Sequence, residues 1–485
     1  MALSKDQIRD NPWWGSADAI ERDTQLEELA GLPLVFEHQI PFDLHKDSVR
    51  TIRGPRQVGK TTFLKRMIRL LIQEGVPVRS IMYLDVEGAN IRTPHDLQES
   101  IREFLEWMRS TFPDRRAYIF LDEITGIESW GTAIRVLHGR GDLRKTTVMC
   151  TGSHARDVKR GAERAPGRKG RVEAWDWIMM PLSFRDYVLM HDPSLSERLP
   201  TFDPTNPVEA FSIAQELQIH QKVIDPLFER YLLAGGYPHA VAAEVEYQEI
   251  PIGVYRLYQE AFRGEIVRGG HREDLFRELV SWLSDSHLGV EFNWSDGSGG
   301  TAIGSHHTVR EYLEDAQAAF MWHILHRVKS LDEPVGAPRS PKKLYPVDPF
   351  AWQVLRSWVS GSSNPWRDSI AFLGEKLNRS LLVESTVGDH LARWRGPFTL
   401  YHRASQGSEE IDFVSFSDYK RSLVEVKYRT QIKATDKKVL RKYGGGILVT
   451  RDDLFLNEDN NVTGIPTPLF LAGLPDSLTL YPSLE

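Results

Sequence analysis

The apolar positions of this chain change period along its length, and the change divides it into regions. Residues 48–53, 80–86, 117–121 and 146–150 read as short strands. The third, Ala117-Tyr118-Ile119-Phe120-Leu121, is apolar throughout, as a strand covered on both faces of a parallel sheet must be. Residues 62–71 carry apolar side chains at helical spacing and predict an amphipathic helix after the first strand. Strands alternating with helices predict a doubly wound α/β domain. From 186 to 265 the period is helical, as in Val208-Glu209-Ala210-Phe211-Ser212-Ile213-Ala214, and Gly235-Gly236-Tyr237-Pro238 interrupts it. A turn and a further helix are predicted over 301–313. Strand alternation returns at Glu410-Ile411-Asp412-Phe413-Val414 and at 423–428, beside predicted helices over 378–391 and 434–442.

Composition narrows the class. The chain has 485 residues, 41% hydrophobic and 26% charged, which is ordinary for a globular protein with room for roughly three or four domains. No apolar run approaches the roughly 18 residues that span a bilayer, and the first residues lack a signal-peptide core. The single cysteine, Cys150, lies in a predicted strand, reads as core packing and excludes an intrachain disulfide. These features predict a cytoplasmic protein without a membrane partner. The net charge of −7 does not advertise nucleic-acid binding; its distribution is more informative. Arg156, Lys159, Arg160, Arg164, Arg168, Lys169 and Arg171 face only Asp157 and Glu163 in a glycine-containing stretch. Such a loop either grips a phosphate backbone or is a solvated loop carrying one useful arginine. A second basic run, Arg339-Ser340-Pro341-Lys342-Lys343, reads as a linker.

The candidate chemistry begins at Gly54-Pro55-Arg56-Gln57-Val58-Gly59-Lys60-Thr61-Thr62, which fits the phosphate-binding pattern G-x-x-x-x-G-K-[ST]. Its glycines let backbone N–H groups approach phosphate oxygens, and the following helix aims its positive end at the same anion. Lys60 can reach the β- and γ-phosphates of ATP, and Thr61 can place its hydroxyl on Mg²⁺. The 117–121 strand delivers Asp122, expected to hold the magnesium through water, and Glu123, expected to polarise the attacking water. At the end of the fourth strand, Ser153 or Thr151 can sense the γ-phosphate.

On these residues, with Trp130, Gly170-Arg171-Val172-Glu173, Pro181-Leu182-Ser183-Phe184 and Gly235-Gly236-Tyr237-Pro238, the chain resembles the bacterial and archaeal AAA-type ATPases that carry a C-terminal DUF4143 region. The resemblance implies an α/β fold with an AAA-type P-loop core over 1–185 and a helical lid over 186–265. It further implies a winged-helix module over 266–345 and a PD-(D/E)XK nuclease-like α/β domain over 346–485. It implies Arg171 as the arginine finger acting in trans, with Arg168 as a rival, in a homo-oligomer of which a hexamer is the type. In the winged-helix module, Arg310 with His306 or His307 would face DNA, or the module would serve as scaffold.

The second site rests on Asp412 and on Glu425-Val426-Lys427. Strand alternation puts Glu425 and Lys427 on one face, and Asp412 on a neighbouring antiparallel strand can join them. Two carboxylates and a backbone carbonyl would then hold Mg²⁺, with Lys427 orienting the attacking water. The family's helical glutamate corresponds to Glu384, with Glu375 as a rival. Arg429, Lys433, Lys437, Lys438, Arg441 and Lys442 follow as a basic surface. The alternative is a solvated Glu425–Lys427 ion pair in a degenerate nuclease fold. The expected function is ATP hydrolysis coupled to Mg²⁺-dependent cleavage of DNA, branched DNA among the targets; the rival is a STAND-type switch that binds without cutting.

Overall fold

The computed structural model describes residues 5–153, 176–396, 399–404, 409–417, 420–457, 459, 461–475 and 479–482. It contains two compact units, one of residues 1–179 with 480–483 and one built from 180–479.

The first unit opens with short helices α1 (Lys5–Asp10) and α2 (Thr24–Ala30). Strand β1 (Ser48–Arg53) leads into α3 (Lys60–Gln73), and β2 (Ile81–Asp85) into α4 (Pro94–Thr111). Then come β3 (Ala117–Asp122), α5 (Gly131–Arg140), β4 (Thr146–Gly152) and β5 (Asp176–Met179). A strand from the far end of the chain, Leu480–Pro482, completes the six-stranded sheet beside β5, in the order Leu480–Pro482, β5, β1, β4, β3, β2. All neighbours are parallel except this last strand, which runs antiparallel to β5. β3 and β4 are buried along their whole length; β3 is apolar up to Asp122, whereas the buried threonines of β4 donate to the Arg144 and Leu44 carbonyls and to Asp122. Cys150 is fully buried in the core against Ile119, Leu121 and Val148, and burial pushes its thiol far above the usual range. Helix α4 starts on a reciprocal cap between Thr93 and Asp96, with Pro94 in the first turn.

The exposed edge of β2 is closed by side chains. Asn11 Nδ2 donates to the Tyr83 carbonyl at 2.7 Å, and the Tyr83 N–H donates to Asn11 Oδ1 at 2.6 Å. Trp14 Nε1 donates to the Ile81 carbonyl at 2.7 Å. The Asn11 amide thus pairs with the strand as a further backbone unit would.

The second unit begins with helices Phe184–His191, Pro207–Leu217, Gln221–Ala234, Pro238–Tyr247 and Ile252–Arg268, in keeping with the helical period of this region. Gly235, at φ +58°, ends one helix, and the next starts at Pro238. Gly235 and Gly236 are small because Asp348 and the Leu182 backbone lie where a Cβ would go. Helices Glu273–Ser286, Trp294–Gly300 and His306–Ala318 follow. They precede β6 (Trp322–His326), a hairpin of β7 (Val328–Ser330) and β8 (Glu333–Gly336), and β9 (Lys342–Pro346), which returns antiparallel to β6. This corrects the linker reading of Arg339 to Lys343: Lys342 and Lys343 belong to a strand buried along its length.

The remainder is a mixed sheet beside the long helix Lys376–Arg395. Its strands are β10 (Thr399–Arg403), β11 (Glu410–Ser417), β12 (Lys420–Lys427), β13 (Gly446–Thr450), β14 (Phe455–Asn457) and β15 (Val462–Pro466), in the order β10-β11-β12-β13-β15-β14. The helix predicted over 434–442 is a 3₁₀ turn, Ala434–Lys437, followed by the short helix Lys438–Lys442.

Candidate functional site

In the first unit, β1 runs into a loop that turns through positive φ at Gln57 (+64°) and Gly59 (+96°) before α3 begins at Lys60. Gly59 therefore suits the left-handed conformation that sharpens the turn. Gly54 is required by proximity instead: a Cβ there would lie 1.9 Å from the Met179 carbonyl oxygen of β5. Gly54→Ala should force β5 from β1 and weaken nucleotide binding at least about tenfold, measured by titration with a fluorescent ATP analogue. The buried Lys60 ammonium donates to the Gly54 and Pro55 carbonyls at 2.9 and 2.8 Å, which holds it at the loop.

β4 lies between β1 and β3, so the acidic end of β3 is one strand removed from the loop. Thr61, Asp122 and Glu123 line one cleft of about 520 Å³, together with Asp23, Gln25, Lys65, Tyr83 and Asp85. The Asp122 carboxylate accepts from the Tyr83 hydroxyl at 2.8 Å, from the Thr151 hydroxyl, and from the Glu123 N–H at 3.2 Å. Burial first, and the Asp122 charge second, push the Tyr83 phenol far above its usual range, so it stays a donor. Thr151 is thereby committed to holding Asp122, while Ser153 is buried just beyond the end of β4. Glu123 sits at φ +47°, a left-handed backbone for a non-glycine residue. Thr62 donates to Gln25 at 3.3 Å, and Lys65 pairs with Asp23 at 3.1 Å and lies 3.5 Å from the Tyr83 ring centroid. Motif reasoning missed Tyr83, Gln25 and Asp23 because nothing local marks them; they arrive through β2 and α2. Pro55, Arg56 and Val58 complete the loop, with Val58 buried. Arg168 and Arg171 lie outside the described residues.

No group of three or more His, Cys, Asp or Glu is arranged to hold a metal ion among the described residues.

The second cluster forms where β11 and β12 run antiparallel, with Phe413 opposite Val424. That register brings Asp412 beside Glu425: the Asp412 N–H donates to Glu425 Oε2 at 3.2 Å, and the Val426 N–H to Asp412 Oδ2 at 2.9 Å. Lys427 pairs with Glu425 Oε1 at 2.5 Å and lies 3.9 Å from Asp412 Oδ2. Glu384, on the long helix, accepts from the Tyr345 hydroxyl at 2.8 Å. Lys343, absent from the sequence-based site, pairs with Glu410 Oε1 and stands 3.5 Å from Asp412 Oδ1 and 4.0 Å from Glu384 Oε1. Its side chain is only 4% exposed. Burial, then the Asp412 charge, raises the carboxyls of Glu384 and Glu425. Burial would lower both ammoniums, but Asp412 and its neighbours outweigh it and raise them. The Glu425–Lys427 pair is not a solvated surface pair, since Glu425 is buried.

Glu375 is exposed at the start of the same helix, about 13 Å along the axis from Glu384 at 1.5 Å per residue. Several cations of the following basic stretch are already engaged: Arg429 with Asp436, Lys442 with Glu409 at 2.5 Å, and Lys437 over the Phe455 ring. Lys433, Lys438 and Arg441 are exposed.

Residues 46–188 match the family model described as an AAA domain, so the chain carries an AAA-type P-loop ATPase domain. An uncharacterized protein of Haemophilus influenzae is 23% identical over 283 residues. That match covers 57% of this chain, which spans only 62% of the relative's length. Among solved structures, the Aeropyrum pernix ORC2 protein in its ADP form is similar over 74% of this chain and 97% of its own, at 11% identity and a TM-score of 0.30. A variant of Thermotoga maritima RuvB is similar over 61% and 83%, at 12% identity and a TM-score of 0.26. No helix among the described residues is long and apolar enough to cross a membrane.

Proposed function

We propose that this chain hydrolyses ATP and couples the hydrolysis to work on DNA. The observation that carries the first half is the single cleft shared by Thr61, Asp122 and Glu123 beside the phosphate loop. Lys60 would leave its loop carbonyls for the β- and γ-phosphates, and the loop N–H groups would hold the same oxygens. Magnesium, when bound with ATP, would offset charge on the β- and γ-oxygens through Thr61 and a water on Asp122. Glu123 would orient the attacking water, and Ser153 would report the γ-phosphate. Arg171 would complete the site of a neighbouring subunit, in a homo-oligomer of hexameric type.

The helices of 186–265 would form the lid, 266–345 a winged-helix module and 346–485 a PD-(D/E)XK nuclease-like domain. Support for the module is its order of helices, hairpin and returning strand, with Arg310 exposed on its third helix and paired with Glu314 at 2.7 Å. Support for the nuclease-like domain is the Asp412–Glu425 register, with Lys427 on the same face and Glu384 arriving from the long helix. The donor chemistry there suits a hard divalent cation, but the arrangement described does not: ammonium groups stand among the carboxylates. That observation favours the second reading, a STAND-type switch whose terminal domain binds nucleic acid without cutting.

Cleavage of labelled linear, single-stranded and four-way-junction DNA with Mg²⁺, with and without ATP, separates the two. Under the nuclease reading the wild type cuts and Asp412→Ala loses at least about a hundredfold in rate. No cleavage by the wild type, with ATPase activity intact, would establish the switch.

A further inference from the structure

The Asp122 carboxylate is gripped on both oxygens. Oδ1 accepts from the Thr151 hydroxyl and, at 3.2 Å, from the Glu123 N–H, and Oδ2 accepts from the Tyr83 hydroxyl at 2.8 Å. The Glu123 N–H is shared, since it also donates to Thr151 Oγ1 at 3.1 Å. These bonds close around a residue in an unfavourable backbone conformation. Glu123 sits at φ +47° and ψ +46°, where an L side chain crowds its own main chain. Such a turn persists only where its surroundings over-determine it. From that turn Glu123 lines the nucleotide cleft. Tyr83 reaches Asp122 across the β2–β3 register, in which it stands opposite Phe120. Its own place is fixed. Its backbone N–H and carbonyl pair with the Asn11 amide, the Lys65 ammonium lies 3.5 Å from its ring centroid, and Lys65 is anchored on Asp23 at 3.1 Å.

We propose that Tyr83 is a positioning residue for Glu123: by holding Oδ2 of Asp122 it locks the left-handed turn that presents the Glu123 carboxylate to the cleft. This rests on the reading of Glu123 as the group that orients the attacking water. A carboxylate rotates about its Cβ–Cγ bond unless both oxygens are held. With Oδ2 released, Oδ1 can swing away from the Glu123 N–H, and the turn loses a bond that maintains it. The Glu123 carboxylate would then relax from its working position while the phosphate loop stays intact. Tyr83 therefore supplies orientation at the reacting water rather than affinity for the nucleotide.

The test combines phosphate release by the full chain at saturating ATP with titration of a fluorescent ATP analogue. Tyr83→Phe removes only the hydroxyl and keeps the ring against Lys65. It should lower kcat at least about tenfold while the analogue binds within about twofold of wild type. In a Glu123→Gln background the same substitution should change the residual single-turnover rate by less than about twofold, because the group it positions is already gone. A residue that only stabilised the fold, or that acted through another group, would lower both backgrounds alike. Tyr83→Phe at wild-type kcat, or an equal fractional loss in both backgrounds, would overturn this inference and leave the role of Glu123 standing. Wild-type turnover by Glu123→Gln would overturn the catalytic reading and this inference together. Should Tyr83→Phe fail to fold, Thr151→Val decides. It keeps the side-chain shape, removes the hydroxyl that holds the other Asp122 oxygen, and should show the same loss, confined to the background that retains Glu123. A Thr151→Val loss undiminished in Glu123→Gln would then sink the proposal.

Discussion

Lys60→Ala should reduce ATP hydrolysis by at least about a hundredfold, the scale of losing one preorganised charge at a transferring phosphoryl group. The side chain sits at the phosphate loop on the Gly54 and Pro55 carbonyls, a position from which it reaches phosphate by rotating its own stem. Without it, the developing charge on the γ-phosphoryl oxygens would lose the one ammonium that the loop itself supplies. Phosphate release under saturating ATP is the measurement. Glu123→Gln should behave differently, retaining nucleotide binding while losing turnover, because Asp122 and its Tyr83 and Thr151 donors remain in place. Hydrolysis that survives Lys60→Ala would place the ATP site elsewhere in the chain.

Arg393→Ala should destabilise the second unit by about 3–5 kcal/mol, the cost of stripping one partner from a buried ion pair. Arg393 and Asp389 are both fully buried. Their side chains meet at 2.8 Å, and the guanidinium also donates to the Pro181 carbonyl and, at 2.8 Å, to the Val347 carbonyl. One side chain thus ties the long helix to the segments entering the Phe184–His191 and Pro349–Ser360 helices. Burial alone would raise the Asp389 carboxyl, yet Arg393, with His323 behind it, holds it below the usual range. A depressed carboxyl stabilises the fold above its unfolded value of about 3.9, and that contribution is lost as pH falls through the folded value. The gap between wild type and Arg393→Ala should therefore narrow in acid. Urea unfolding at neutral and acid pH measures both effects. Arg393→Lys should recover only part of the loss, because an ammonium cannot reach two carbonyls and a carboxylate in one plane. A loss of less than about 1 kcal/mol would mean that water replaces the guanidinium.

What could be read from the sequence follows from how local each signal is. β3 announces itself because a strand buried on both faces is apolar along its run, and the phosphate loop because its glycine and lysine spacing is contiguous. The strand Leu480–Pro482 is three residues long and pairs with a segment far away in sequence, so no window contains its cause. β5 is four residues long and follows a basic stretch that carries no strand pattern. The basic run Arg339-Ser340-Pro341-Lys342-Lys343 looks like a linker in sequence; only the pairing of β9 with β6 shows that Lys343 is interior. Asp412 and Glu425 were legible as neighbours, since antiparallel alternation fixes which residues share a face. Glu410, two residues before Asp412, shares its face by the same alternation; that Lys343 joins them was not legible, because it arrives from a different element.

The strand Leu480–Pro482 has a consequence for biosynthesis. Translation delivers β1 to β5 early, but the residues that finish their sheet emerge only after the entire second unit has been made. At ordinary elongation rates that interval is on the order of tens of seconds. Throughout it the nascent ATPase sheet presents an unpaired β5 edge to the crowded ribosome surface, a window in which chaperone capture or mispairing with another nascent chain competes with completion.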